Sequence, residues 1–133
     1  VSFPAAQRFN KQLYVEANGV TKVSAANATY IAILSVANNN ALTAIQAPKV
    51  LGLGTLSINT NAKVTNASLQ LGKVGSLSHL GLINQPLVTS LTWLGPKPKM
   101  TGELQVCQSG ISSADAAAWL QQWGGKPNQI ACK

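Results

Sequence analysis

Alternation of apolar and polar positions is the dominant pattern along this chain. Over residues 56–63, Leu56, Ile58, Thr60 and Ala62 alternate with Ser57, Asn59, Asn61 and Lys63; the inward set then shifts to Thr65, Ala67, Leu69 and Leu71. A two-residue period is that of a half-buried strand, because successive side chains leave opposite faces of the pleat. The change of phase over residues 61–64 marks a turn or bulge, since a slip of one residue moves the whole apolar set to the other face. Residues 28–37 are rich in β-branched side chains and end at Asn38, Asn39 and Asn40, which predicts a buried strand stopped by a breaker run. Leu87, Thr89, Leu91 and Trp93 predict another strand, ended by Gly95 and Pro96, and residues 101–107 a last one. Near the start, Asn18 and Gly19 stand between β-prone flanks, the signature of a tight hairpin in which both turn residues take positive φ. Residues 41–46 carry Leu42 and Ile45 three apart and predict a loop with one helical turn, cut short by Pro48, Gly52 and Gly54.

Only the C-terminal region has a helical period. Ser112 or Ser113 can cap it, Asp115 complements the dipole of its first turn, and Gly124, Gly125 and Pro127 stop it. Ala116, Trp119, Leu120 and Trp123 fall on one face, which predicts docking on the sheet. Trp119 and Trp123 are also the candidate aromatic platform for a sugar, although an apolar stripe of this kind more often packs into a core. About six short strands and one helix predict a mainly β, α+β fold: an antiparallel sandwich or partly open barrel with one C-terminal helix.

At 133 residues the chain is long enough for one domain burying roughly 65–70 % of its unfolded surface. Residues 1–10, with Pro4, predict an extended arm, and the edge strand before Asn18 is a candidate for pairing with a neighbouring subunit. The chain begins at Val1 without the basic and apolar regions of a leader, as a mature secreted product would. No apolar run approaches the ~20 residues of a membrane span. Cys107 and Cys132 have 24 residues between them and no accompanying histidine or cysteine cluster, so the expected pairing is a disulfide rather than a zinc site. Closing that helical loop, residues 107–132, would stabilise the fold by roughly 3–4 kcal/mol and implies an extracellular or cell-surface, oxidising compartment.

Composition narrows the chemistry. The only acidic residues are Glu16, Glu103 and Asp115, and the only histidine is His79. Nucleophile triads, carboxylate pairs and hard-metal cages all draw on that small set, so neither catalysis nor a metal or other cofactor is expected. His79 is expected in a loop or at an edge. The net charge of +7 comes from scattered positions, nine of ten being lysine. Lys97, Lys99 and Lys126 are the candidate polyanion contacts. Asn27, Ala28 and Thr29, and Asn66, Ala67 and Ser68, match the N-glycosylation acceptor pattern but are incidental unless a eukaryotic host secretes the protein.

A cysteine pair closing the C-terminal part of a small β-rich domain is similar to the globular heads of type IV pilins. That likeness covers only the region from Cys107 onward, and the chain lacks the hydrophobic N-terminal helix of those pilins. The expected function is a non-catalytic extracellular structural or assembly subunit, of a surface fibre, pilus-like filament or particle, associating with itself or a partner subunit. The alternative is a secreted basic module that binds an acidic glycan, nucleic acid or anionic surface.

Overall fold

The computed structural model describes residues 1–125 other than Pro4, Ala6, Ala17, Asn18, Pro96 and Lys97. Among the described residues nine strands and one helix follow one another as β1 (Arg8–Glu16), β2 (Lys22–Ser24), β3 (Tyr30–Ala37), β4 (Ala44–Ala47), β5 (Gly52–Asn59), β6 (Leu69–Leu71), β7 (Ser76–Ile83), β8 (Lys99–Met100), β9 (Leu104–Gln105) and α1 (Ser113–Gln122). Every strand pairing is parallel. The long sheet runs β1-β3-β5-β7-β8, with β9 also on β7, and the short sheet runs β2-β4-β6. The chain therefore winds from long sheet to short sheet and back, one rung per turn, as a β-solenoid.

This corrects the antiparallel sandwich or barrel. Alternation shows only that one face of each strand is buried, and parallel strands usually have both faces covered. Here the second sheet covers one face of the first, and the outer faces of both stay in water. The hairpin at Asn18 and Gly19 is likewise overturned: β1 and β2 belong to different sheets, and β1 pairs with β3. Gly19 does take a positive φ of 105°, at a corner rather than a hairpin. Residues 44–47 form β4, not a helical turn. The strand expected over residues 87–93 is a corner leading into a 3-10 turn, Thr92–Leu94.

Register explains the core. Leu34, Leu56, Leu80 and Leu104 stack as one column, each no more than 2 % exposed, beside Val36, Ile58 and Leu82 in the next. Ile45 and Leu69 supply the facing column from the short sheet. The rungs of β3, β5 and β7 repeat the same inward spacing, so similar side chains meet at the rung separation of ~4.8 Å, while β1 shifts register by one residue between Phe9 and Gln12.

The corners after β3, β5, β7 and β9 are each built from a left-handed residue. Asn38, Thr60, Asn84 and Gln108 have φ of 55°, 51°, 53° and 53°. Asparagine tolerates this region and β-branched threonine does not, so Thr60 stores strain. The residue that follows turns into the core: Asn39, Asn61 and Gln85 are fully buried. Asn61 donates to the carbonyls of Val36 (3.0 Å) and Asn59 (2.8 Å), and its Oδ1 accepts from the Asn39 amide at 3.0 Å. Asn39 donates in turn to the carbonyls of Val15 and Ala37. These amides tie each corner to the rung before it. Gln85, one methylene longer, reaches only the Ile83 carbonyl at 3.3 Å, and its Oε1 has no partner.

The C-terminal helix is where the sequence places it. Ser112 Oγ accepts from the Asp115 amide at 3.1 Å, and Gly124 ends the helix at φ 75°. Ala116, Leu120 and Trp123 are buried in the core, while Trp119 is half-buried against it. Residues 1–3 add to the other end of the short sheet: Ser2 bridges Ser24, and the Phe3 amide donates to the Ser24 carbonyl at 2.8 Å. Part of the expected arm is thus docked, and residues 8–10 already belong to β1.

Candidate functional site

Side chains on the outer face of the long sheet form columns along the solenoid axis. Pairing sets Ile33 beside Thr55 and Thr55 beside His79, with Ser35, Ser57, Gly81 and Gln105 in the neighbouring column. Between the last three rungs these columns bound a groove of about 350 Å³, lined by Thr55, Ser57, His79, Leu80, Gly81, Glu103 and Gln105. Gly81 makes the depression. A methyl placed there would stand 3.7 Å from Ser57 Oγ and 3.8 Å from Gln105 Oε1, so the absent side chain leaves space between them.

The walls are polar and partly constrained. His79 lies in β7, exposed, and neither in the loop nor at the edge expected for it, since β7 pairs on both sides. A Cβ on Gly102 would lie 2.8 Å from its Nε2, so the imidazole rests against the Gly102 backbone and only glycine fits beneath it. Glu103 Oε2 accepts from Gln105 Nε2 at 3.4 Å, and the Glu103 carbonyl accepts from the Leu80 amide at 3.0 Å, fixing both residues above β7. Sequence spacing gave no sign that His79 and Glu103 share a cavity; the register between β7 and β9 brings them together.

A second cavity, of about 370 Å³, lies where α1 meets the turn over Thr92–Leu94 and is lined by Thr92, Gly95, Trp119, Gln122 and Trp123. Trp123 is only 6 % exposed and belongs to the core, whereas Trp119 contributes a half-buried ring.

Among the cations, Lys49 and Lys73 follow β4 and β6 at equivalent corners of consecutive rungs. Lys99 starts β8 beside Ser76, and Arg8 starts β1 beside Tyr30, its guanidinium 4.8 Å from the Tyr30 ring centre. Winding thus sets four dispersed cations along one edge of the solenoid. Lys49 Nζ donates to Asn27 Oδ1 at 3.0 Å across that edge. Lys97, Lys126 and Cys132 lie outside the described residues, and with Cys132 the expected bridge; Cys107 is half-buried where the last long-sheet rung ends. Among the described residues no group of three or more His, Cys, Asp or Glu side chains could hold a metal ion, and no helix is long and apolar enough to cross a membrane. Asn66 of the second acceptor tripeptide is spent on structure, its Oδ1 accepting from the amides of Thr89 (3.1 Å) and Ser90 (3.2 Å).

The exposed acid on β1 is also tied down. Glu16 accepts from the Tyr14 hydroxyl and from Asn38 Nδ2, both at 2.6 Å. The Tyr14 hydroxyl followed by Asn38 holds the Glu16 carboxyl below its usual range, and the Glu16 bond raises the Tyr14 hydroxyl above its own.

The ends of the solenoid differ. At the N-terminal end β1 spans nine residues and, among the described residues, pairs only with β3. At the other, β8 and β9 have two residues each, and the short-sheet position passes from β6 through the turn over Thr92–Leu94 to α1. Comparison of the chain with family models, curated proteins and solved structures found no match.

Proposed function

We propose that the protein is a non-catalytic structural subunit of an extracellular or cell-surface assembly, a rod segment that associates through its β1 edge and terminates at α1. The outer edge of β1, which has no strand partner among the described residues, carries this reading. A nine-residue strand whose outer side pairs with no other strand among the described residues is a template for another strand. The stack beneath it is in register over several rungs, so an added strand would extend an existing ladder. A helix satisfies its own backbone and cannot continue a ladder, which gives α1 the part of a capping element. A filament growing equally from both ends does not suit this asymmetry; a two-fold pair or the tip of a fibre does. A disulfide between Cys107 and Cys132 would pin the capped end in an oxidising compartment.

Light scattering of the non-reduced protein across concentration and salt, with negative-stain images of the same samples, tests the proposal. Association should rise with concentration, persist in salt and fall when Asn10→Lys and Gln12→Lys place charge on β1. A wild-type monomer at every concentration would refute it.

The second reading is a basic binding module, favoured by the edge that carries Arg8, Lys49, Lys73 and Lys99. On this reading affinity for heparin should drop steeply between low and physiological salt, and Lys49→Ala with Lys73→Ala should flatten the slope. Salt-independent binding would exclude it.

A further inference from the structure

We propose that the groove over Gly81 is a binding site for an uncharged glycan lying along the solenoid axis. Three properties of the groove select this class of ligand. The first is hydrogen-bonding capacity. Among the described residues Thr55 and Ser57 hydroxyls and the His79 imidazole have no side-chain partner, while Glu103 and Gln105 hold each other at 3.4 Å and keep further acceptor and donor positions open. Hydroxyls, an imidazole, an amide and a carboxylate together both give and accept protons, which matches sugar hydroxyls, themselves donors and acceptors.

The second is charge. None of the lining residues is lysine or arginine, and the one acidic side chain, Glu103, disfavours an anionic ligand. The basic edge formed by Lys49 and Lys73 lies at the corners leading into β5 and β7, outside the groove lining. The groove is therefore chemically separate from any polyanion surface.

The third is shape and repeat. The lining spans successive rungs of β5, β7 and the β8–β9 segment, so equivalent polar groups recur at ~4.8 Å. That interval is close to the advance of one sugar residue along an extended glycan, and each rung can address one residue. Backbone hydrogen bonds of the sheet fix these positions in advance, which limits the ordering cost of binding. The cavity beside Trp119 is the weaker candidate, because its deeper indole, Trp123, is committed to the core.

The test is a titration of the isotope-labelled full chain with uncharged hexasaccharides of β-1,4-glucose, β-1,4-N-acetylglucosamine, β-1,4-xylose, β-1,4-mannose and α-1,4-glucose, followed by amide chemical shifts. The expected result is a saturable shift confined to the amides of Thr55, Ser57, His79, Gly81 and Gln105 for at least one sugar, unchanged between low and high salt. Gly81→Val, which extends from a Cβ position with ordinary contacts into the open groove, should weaken it at least tenfold while keeping the spectrum of a folded protein. Gln105→Ala should weaken it severalfold, and Lys49→Ala should leave it unchanged. No shift with any of the five sugars at millimolar concentration would overturn the proposal. So would shifts that map to Trp119, or binding that survives Gly81→Val.

Discussion

The first and last rungs share one architecture and end it in opposite ways. At the N-terminal end, Phe9, Leu13 and Val15 of β1 pair with Ile31, Leu34 and Val36 of β3 across a one-residue register shift between Phe9 and Gln12, and β1 presents a long strand whose outer edge has no described partner. Toward the C-terminal end the ladder is dismantled in steps: long strand pairing breaks into two-residue segments, the short strand becomes a 3-10 turn, and then an α-helix. The corner amides follow the same gradient. Asn39 and Asn61 bond fully across rungs, whereas Gln85 leaves Oε1 unpartnered. The repeat is most regular in the middle rungs, where β3, β5 and β7 pair without a shift; β1 carries a register shift between Phe9 and Gln12 but keeps a long strand, whereas the C-terminal end replaces strands by a turn and a helix.

The strongest way to break this contrast is to remove the cap. Trp123→Ala should destabilise the protein by about 3–5 kcal/mol in denaturant unfolding, because a buried indole leaves both lost contacts and a cavity. It should also expose the closed end to association. Next in size, Asn61→Ala uncouples two neighbouring corners; losing the acceptor for the Asn39 amide and the donors to Val36 and Asn59 should cost about 2–4 kcal/mol. Gln85→Asn sharpens the comparison in the other direction. Shortening the side chain brings its amide into the position used by Asn61, and a gain of about 1 kcal/mol is expected in the same unfolding experiment.

The smallest effect concerns the open edge. Glu16 is held below its usual range, so its bonds to Tyr14 and Asn38 help the fold above the ordinary glutamate pKa and fade as pH falls through the lowered value. Tyr14 is raised, so its contribution is complete below the ordinary tyrosine pKa and disappears as pH rises through the raised one. Both groups are exposed, and the consequence is local. Hydrogen exchange of β1 amides, corrected for intrinsic rates, should quicken slightly at acid and at strongly alkaline pH, and Tyr14→Phe should flatten the alkaline limb.

How much of this was legible in the sequence depends on the range of the signal. The helix was fully legible, because capping by Ser112, Asp115 in the first turn and the stop at Gly124 are local features. The buried strand before Asn38 and the alternation over residues 56–59 were legible too, since burial of one face imposes a period of two; beyond them the expected inward Ala62 and Ala67 are exposed, and Asn61 and Ser68 are buried instead. Pairing direction was not, because period two is common to parallel and antiparallel strands. The information that decides it lies in repetition: residues 30–39, 52–61 and 76–85 share apolar positions at the second, fifth and seventh places and end in Asn39, Asn61 and Gln85. Steps of 22 and 24 residues separate these segments. Strand β7 escaped notice altogether, as Ser78, His79 and Gly81 break the look of a strand while Leu77, Leu80 and Leu82 keep its spacing. The groove was invisible for the same reason: His79 and Glu103 become neighbours only when rungs stack.

Hydrogen–deuterium exchange followed by mass spectrometry, on the non-reduced protein at low and high concentration, tests the unequal ends most directly. Protection of residues 8–16 should increase with concentration while that of Ser113–Gln122 stays constant, as an associating β1 edge and a sealed helical end require. Equal protection of β1 at both concentrations, or a concentration-dependent change at α1, would contradict the account.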